Sequence, residues 1–169
     1  MKTRKLTTMA LLTTIALSVF IIEAQIPNPI PIPGVKLGLS HIVTMYAVYA
    51  LGPREGALIL LVRILLGAIF SGQPGTVFYS AAGGALAILT TIGLKQVLPE
   101  TQIWICGCLS AVAHSIGQMA VALWLSETPS LLLYLPVLII CSIVAGIFTG
   151  LCAQFLIKRG KDLWKTIFK

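Results

Sequence analysis

Apolar residues in this chain come in blocks, and the blocks are cut by short polar turns. The blocks lie at 6–22, 35–51, 56–70, 76–94, 102–125 and 131–157. None shows the strict apolar–polar alternation of a half-buried strand, and each is close to the length that crosses a hydrocarbon core as a helix, about 20 residues. The breaks carry turn chemistry: Gly52-Pro53-Arg54-Glu55, Ser71-Gly72-Gln73-Pro74-Gly75, Lys95 to Thr101 with Pro99, and Ser126-Glu127-Thr128-Pro129-Ser130. The first break is different. Between Glu23 and His41, Pro27, Pro29, Pro31 and Pro33 alternate with other residues and end at Gly34. Proline fixes φ, lacks an N–H and pushes its predecessor into extended geometry, so this stretch is an extended connector until Gly34. The pattern predicts an all-α integral membrane protein, a bundle of six transmembrane helices in one domain over 1–169.

Composition strengthens that reading. Of 169 residues 57% are hydrophobic and 10% charged, against about 25% charged in ordinary globular chains. Mean hydropathy is +0.98. The net charge of +7 does not point to nucleic acid, because the cations gather at the ends. Lys2, Arg4 and Lys5 open the chain, and Lys158, Arg159, Lys161, Lys165 and Lys169 close it. With six spans and the N-terminus inside, these residues, Arg54 and Lys95 face the cytoplasm, and Lys36 alone faces out. That asymmetry obeys the positive-inside rule. It predicts a multi-pass protein of a prokaryotic cell membrane with both termini cytoplasmic. Residues 158–169 form a basic tail, either an amphipathic end on anionic lipid or a disordered segment. The first block follows a basic segment as a signal peptide does, but Ile22-Glu23-Ala24 fits a cleavage site poorly, so a retained span is expected.

Ionisable and polar groups inside a membrane are costly and mark function by default. Arg63 stands in the middle of the third block with no acid at its depth, unless Glu23 folds inward. It is either an anion-binding group or a guanidinium tied to carbonyls at broken helix ends. His114 and Gln118 share a helix face with Ser110 one turn earlier. Such a stripe contacts a ligand or gates it, or else it joins helices. Lys36 either snorkels to the outer surface or pairs with Glu23 and closes the connector over an outer cavity. His41 is about 140° away from Lys36 on a helix, Ser40 shares the Lys36 face, and Tyr79, Ser80 and Gln73 lie near the same level. A cavity lined by these groups suits a small polar or anionic solute with an apolar body. Ala10, Thr14 and Ser18 make a small-residue stripe on the first helix, a face for close approach of another helix. The GxxxG pairs Gly34/Gly38 and Gly146/Gly150 are packing faces of the same kind.

Several chemistries lack their residues. Joining prenyl diphosphates calls for paired aspartate-rich motifs that hold Mg²⁺, and Asp162 is the single aspartate. There is no P-loop, HExxH or GxSxG. The four cysteines sit in apolar blocks, and Cys106 and Cys108 do not share a helix face. No catalytic residue, metal site or cofactor is expected.

The runs EAQIPNPIPIPGVKLGLSHIVT, RILLGAIFSG, FYSAAGGALA and HSIGQ resemble a family of small membrane proteins, the Gx transporter family, also described as heptaprenyl diphosphate synthase component I. The resemblance covers 23–122. That family is similar to the substrate-binding S components of energy-coupling factor transporters. The resemblance implies a six-helix bundle that binds a vitamin or precursor near the outer surface. It implies docking through the first helix onto an energy-coupling module of ATPases and a membrane coupling protein. Ala10, Thr14 and Ser18 would be the docking stripe, where S components typically carry alanines. Glu23, Pro33, Gly34, Lys36, Arg63, His114 and Gln118 match the family's recurring positions. His41 departs from it, since the family more often carries asparagine there. The synthase name implies an alternative, a non-catalytic membrane subunit of a polyprenyl diphosphate synthase linked to quinone biosynthesis.

Overall fold

A computed structural model describes residues 2–25, 38–72 and 75–167. The described residues are all helical or in turns. Six α-helices follow in order: α1 (Lys2–Gln25), α2 (His41–Ala50), α3 (Pro53–Ser71), α4 (Thr76–Val97), α5 (Ile103–Ser126) and α6 (Leu135–Ile167), with short 3₁₀ turns before α5 and α6. The proline connector, with Lys36, Gly34 and Pro33, lies outside the described residues, as do Gln73 and Pro74.

Among the described residues, four segments are long and apolar enough to cross a membrane: Thr3–Gln25, Thr76–Val97, Glu100–Ser126 and Pro129–Gly160. They match the first, fourth, fifth and sixth apolar blocks. Helix α3 has 19 residues but carries Arg54, Glu55 and Arg63. The second block is the one whose helix is shorter than its apolar pattern. Gly38 takes φ +79°, a left-handed value open to glycine at little cost, and the backbone turns before α2 begins at His41. Ten helical residues rise about 15 Å, half a hydrocarbon core. The sixth helix runs longer than its block, through the basic segment to Ile167.

Glycines set the helix spacing. A Cβ on Gly107 of α5 would stand 2.5 Å from the Gly150 Cα of α6, and one on Gly150 would stand 2.7 Å from the Trp104 Cα. Gly146 meets Cys108 in the same way, so the Gly146/Gly150 pair is a packing face against α5. Gly117 of α5 approaches the Ala82 carbonyl of α4. Lipid tails are as apolar as leucine, so these backbone approaches, rather than escape from water, hold the helices together. Around this antiparallel layer of α4, α5 and α6 sit α2 and α3. Met45 of α2 packs with Ile103, Cys106, Ala153 and Ile157, while Val48 packs with Leu60, Ile64 and Ile88. Lys95 of α4 donates to the Val48 carbonyl at 2.7 Å and lies over the Tyr49 ring. It thereby holds the end of α2, where carbonyls lack helical partners.

Helix α1 runs beside α3 in the same direction. Lys5 pairs with Glu55 at one end, and Phe20 enters a notch over Gly67 further along. The hydrogen bond from Lys5 is the main reason the Glu55 carboxyl titrates below its ordinary value of 4.5. A depressed carboxylate helps the fold above that ordinary value, and the help is lost as pH falls through the lowered one. Titration of Glu55 followed by NMR should therefore give a depressed pKa, and Lys5→Gln should return it toward 4.5.

Candidate functional site

The ends of α1 and α2 and the middles of α3 and α5 meet at one buried polar cluster. Glu23 comes from the last turns of α1 and is 5% exposed. Its carboxylate accepts the backbone N–H of Gly38 and that of Leu39, the latter at 3.1 Å. Those N–H groups lie in the turn that enters α2, where donors have no helical carbonyl and a negative charge is favoured. Arg63 is likewise 5% exposed. Its Nη2 donates to Ser40 Oγ at 2.6 Å, and its guanidinium lies 5.0 Å from the centre of the Phe20 ring. Glu23 acts on it through space. Among the described residues, Arg63 bonds the Ser40 hydroxyl and lies over the Phe20 ring. Gly67 contributes indirectly, since a Cβ there would meet the Phe20 ring at 2.8 Å.

On the other side of α2, His41 Nε2 lies 2.8 Å from Ser110 Oγ, and Ser110 Oγ lies 3.1 Å from the Gly107 carbonyl. A serine hydroxyl has one proton. Spending it on Gly107 leaves His41 as the donor to Ser110, with the proton on Nε2. One turn along α5, the His114 ring presses on the backbone of Gly83, where a Cβ would approach His114 Cε1 and Gln118 Cγ to 2.9 Å. Its Nδ1 is buried with no hydrogen-bond partner among the described residues. Gln118 is 2% exposed. Ser110, His114 and Gln118 therefore all turn toward the bundle interior, as their spacing predicts.

Three hydroxyls complete the cluster and were not singled out from the sequence. Ser115 bonds Ser142 at 2.5 Å, Ser142 donates to the Leu138 carbonyl, and Thr149 donates to that of Gly146. With His41, His114 and Gly38 they line a cavity of about 10 Å³, the space of one water centre. The Ser115–Ser142 bond joins α5 to α6, and double-mutant cycles on such membrane pairs average about 0.6 kcal/mol. Ser115→Ala with Ser142→Ala should show a coupling of that size in SDS unfolding.

Tyr79 lies elsewhere in contact terms. It packs on the Met119, Ala122 and Leu138 cluster, and no hydrogen bond joins its hydroxyl to the polar cluster among the described residues. Ala10, Thr14 and Ser18 are exposed on α1. Thr14 donates to the Ala10 carbonyl and Thr13 to that of Met9, so their methyl groups, not their hydroxyls, remain to face a neighbour. Ala10 and Thr14 line an apolar groove between α1 and α3; Ser18 does not.

The sequence matches heptaprenyl diphosphate synthase component I over residues 12–156. The chain belongs to that family. The match takes in the polar cluster, while the α1–α3 groove begins before it, at Leu6, Met9 and Ala10. No curated protein and no solved structure matches the chain.

Proposed function

We propose that this member of the component I family is the membrane-embedded, non-catalytic subunit of a heptaprenyl diphosphate synthase, in the cell membrane of a prokaryote with both termini cytoplasmic. The match over 12–156 carries the reading. The residue inventory supports it. Elongating a prenyl diphosphate needs carboxylates that hold Mg²⁺, and Asp162 is the single aspartate. A separate aspartate-rich subunit therefore does the chemistry, and this chain gives it a membrane seat. Deleting the gene should shorten or abolish the long-chain prenyl product, measured by chromatography of extracted lipids, while a chromosomal Asp162→Asn leaves it intact. Unchanged product length after deletion would overturn the reading.

The buried polar cluster favours a second reading, a solute-binding subunit like those of energy-coupling factor transporters. Glu23, Lys36, His41, Arg63, Tyr79, His114 and Gln118 would bind a small polar or anionic solute. Ala10, Thr14 and Ser18 would dock the coupling protein. The cavity at His41 and His114 admits a water-sized guest, so a vitamin-sized solute requires the bundle to open around it. This reading predicts uptake that Arg63→Ala abolishes; uptake unaffected by that change counts against it.

A further inference from the structure

The cavity of about 10 Å³ where α2, α5 and α6 meet has a wall whose protons are all committed. Thr149 gives its hydroxyl proton to the Gly146 carbonyl, and Ser142 gives its own to that of Leu138. A hydroxyl has one proton, so in the bond between Ser115 and Ser142 the donor is Ser115. His41 points its N–H at Ser110, whose proton goes to the Gly107 carbonyl. The Gly83 backbone takes the N–H of His114, and Nδ1 of that ring has no partner among the described residues. A neutral imidazole has one N–H and one lone pair, so each histidine is left with a lone pair. The Gly38 N–H goes to Glu23, and Ala111 brings only a methyl group. Among the described residues, the wall therefore offers acceptors and no donor.

A wall of this kind selects its occupant. An anion would set lone pairs against lone pairs. A cation would find no carboxylate on the wall, and the Arg63 guanidinium acts on both rings through space. A neutral hydrogen donor satisfies the acceptors without either cost, and the volume admits one the size of water. We propose that this cavity is a binding site for one uncharged hydrogen-bond donor, a water that bridges His114 to the hydroxyls of α5 and α6. The site rests on its wall and on neither reading of the function. Under the solute-binding reading, the group that replaces the water is a hydroxyl or an amide N–H. An anionic end of that solute goes instead to Arg63, whose Nε is buried with no partner among the described residues. The cluster then holds its guest by two ends, with acceptors at the cavity and a donor at Arg63.

The test uses the full chain in detergent, with water itself as the probe. The chain has 2 histidines, so histidine labelling gives two rings to follow by NMR. Overhauser transfer should show a long-lived water at the His114 ring protons. Ala111→Val fills the cavity from its wall and should abolish that signal. Thr149→Val keeps the shape and removes one acceptor, so the water's residence should shorten about 10-fold, the worth of one hydrogen bond. Leu109→Trp, on an exposed face of α5, should change nothing. Ammonium and fluoride are a cation and an anion close to water in size, and neither should displace it. The proposal is overturned if wild type holds no long-lived water at His114, or if ammonium or fluoride removes it. It is equally overturned if the signal survives Ala111→Val in a folded chain. Should that variant not fold, an unchanged residence in Thr149→Val overturns it by the same measurement. A held water in a chain that takes up no solute supports the site and sinks the solute-binding reading alone.

Discussion

Gly107→Leu should prevent the bundle from assembling, with a loss of about 3 kcal/mol or more and no monodisperse protein after extraction. A Cβ at this position meets the Gly150 Cα at 2.5 Å and the Gly146 carbonyl at 2.7 Å. Both obstacles are backbone, so no rotamer change relieves the clash and α5 must leave α6. Overpacking a close contact typically costs about 1–3 kcal/mol, and more where the neighbours cannot yield. The polar cluster suffers in turn, because Gly107 lends its carbonyl to Ser110, which in turn receives His41. Gly93→Ala is the matched control. Nothing lies within 4 Å of a Cβ there, and alanine is the better helix former by up to about 1 kcal/mol, so this variant should be neutral or slightly more stable. Size-exclusion profiles and SDS unfolding of the two variants decide the matter. Comparable stability for both would show that the α5–α6 contact does not set the fold.

The second large effect belongs to Glu23→Ala, with an expected loss of about 2–4 kcal/mol. The carboxylate satisfies two backbone donors at the entry to α2, and each buried donor left unsatisfied costs about 1–3 kcal/mol. The same change removes a negative charge near the buried Arg63 guanidinium, which leaves that charge less compensated. Glu23→Gln removes the charge and one of the two acceptor oxygens. It keeps an acceptor oxygen for the turn and removes the charge, so it should lose markedly less than alanine. If the two substitutions are equally damaging, one acceptor oxygen is not enough and the full carboxylate is required at the entry to α2. If neither changes SDS unfolding, the link between α1 and α2 is not structural, and a ligand-facing role for Glu23 gains ground.

Hydropathy alone made four of the helices legible, because α1, α4, α5 and α6 each hold a long apolar stretch. In the second block the described helix covers only the later part of the apolar run. Apolar content says that 35–51 prefers lipid, but where a helix begins depends on backbone geometry, and the left-handed Gly38 delays it to His41. In the site, the residues that carry charge could be named from the sequence, since Glu23 and Arg63 are out of place in an apolar chain. Their partners could not. Ser40 and Phe20 reach Arg63 only because α1, α2 and α3 converge, and Phe20 is seated by Gly67 on another helix. Ser115 and Ser142 look like ordinary small packing residues one helix at a time, and their bond exists only between helices. The spacing of Ser110, His114 and Gln118 did show a shared face, because i, i+4 geometry is local.

The most direct test of the synthase-subunit assignment is affinity capture of the tagged chain from native membranes, with the co-purifying proteins identified by mass spectrometry. The assignment predicts a soluble, aspartate-rich prenyl diphosphate synthase at stoichiometric yield. Recovery of ATPase subunits and a membrane coupling protein, with no synthase, would contradict it.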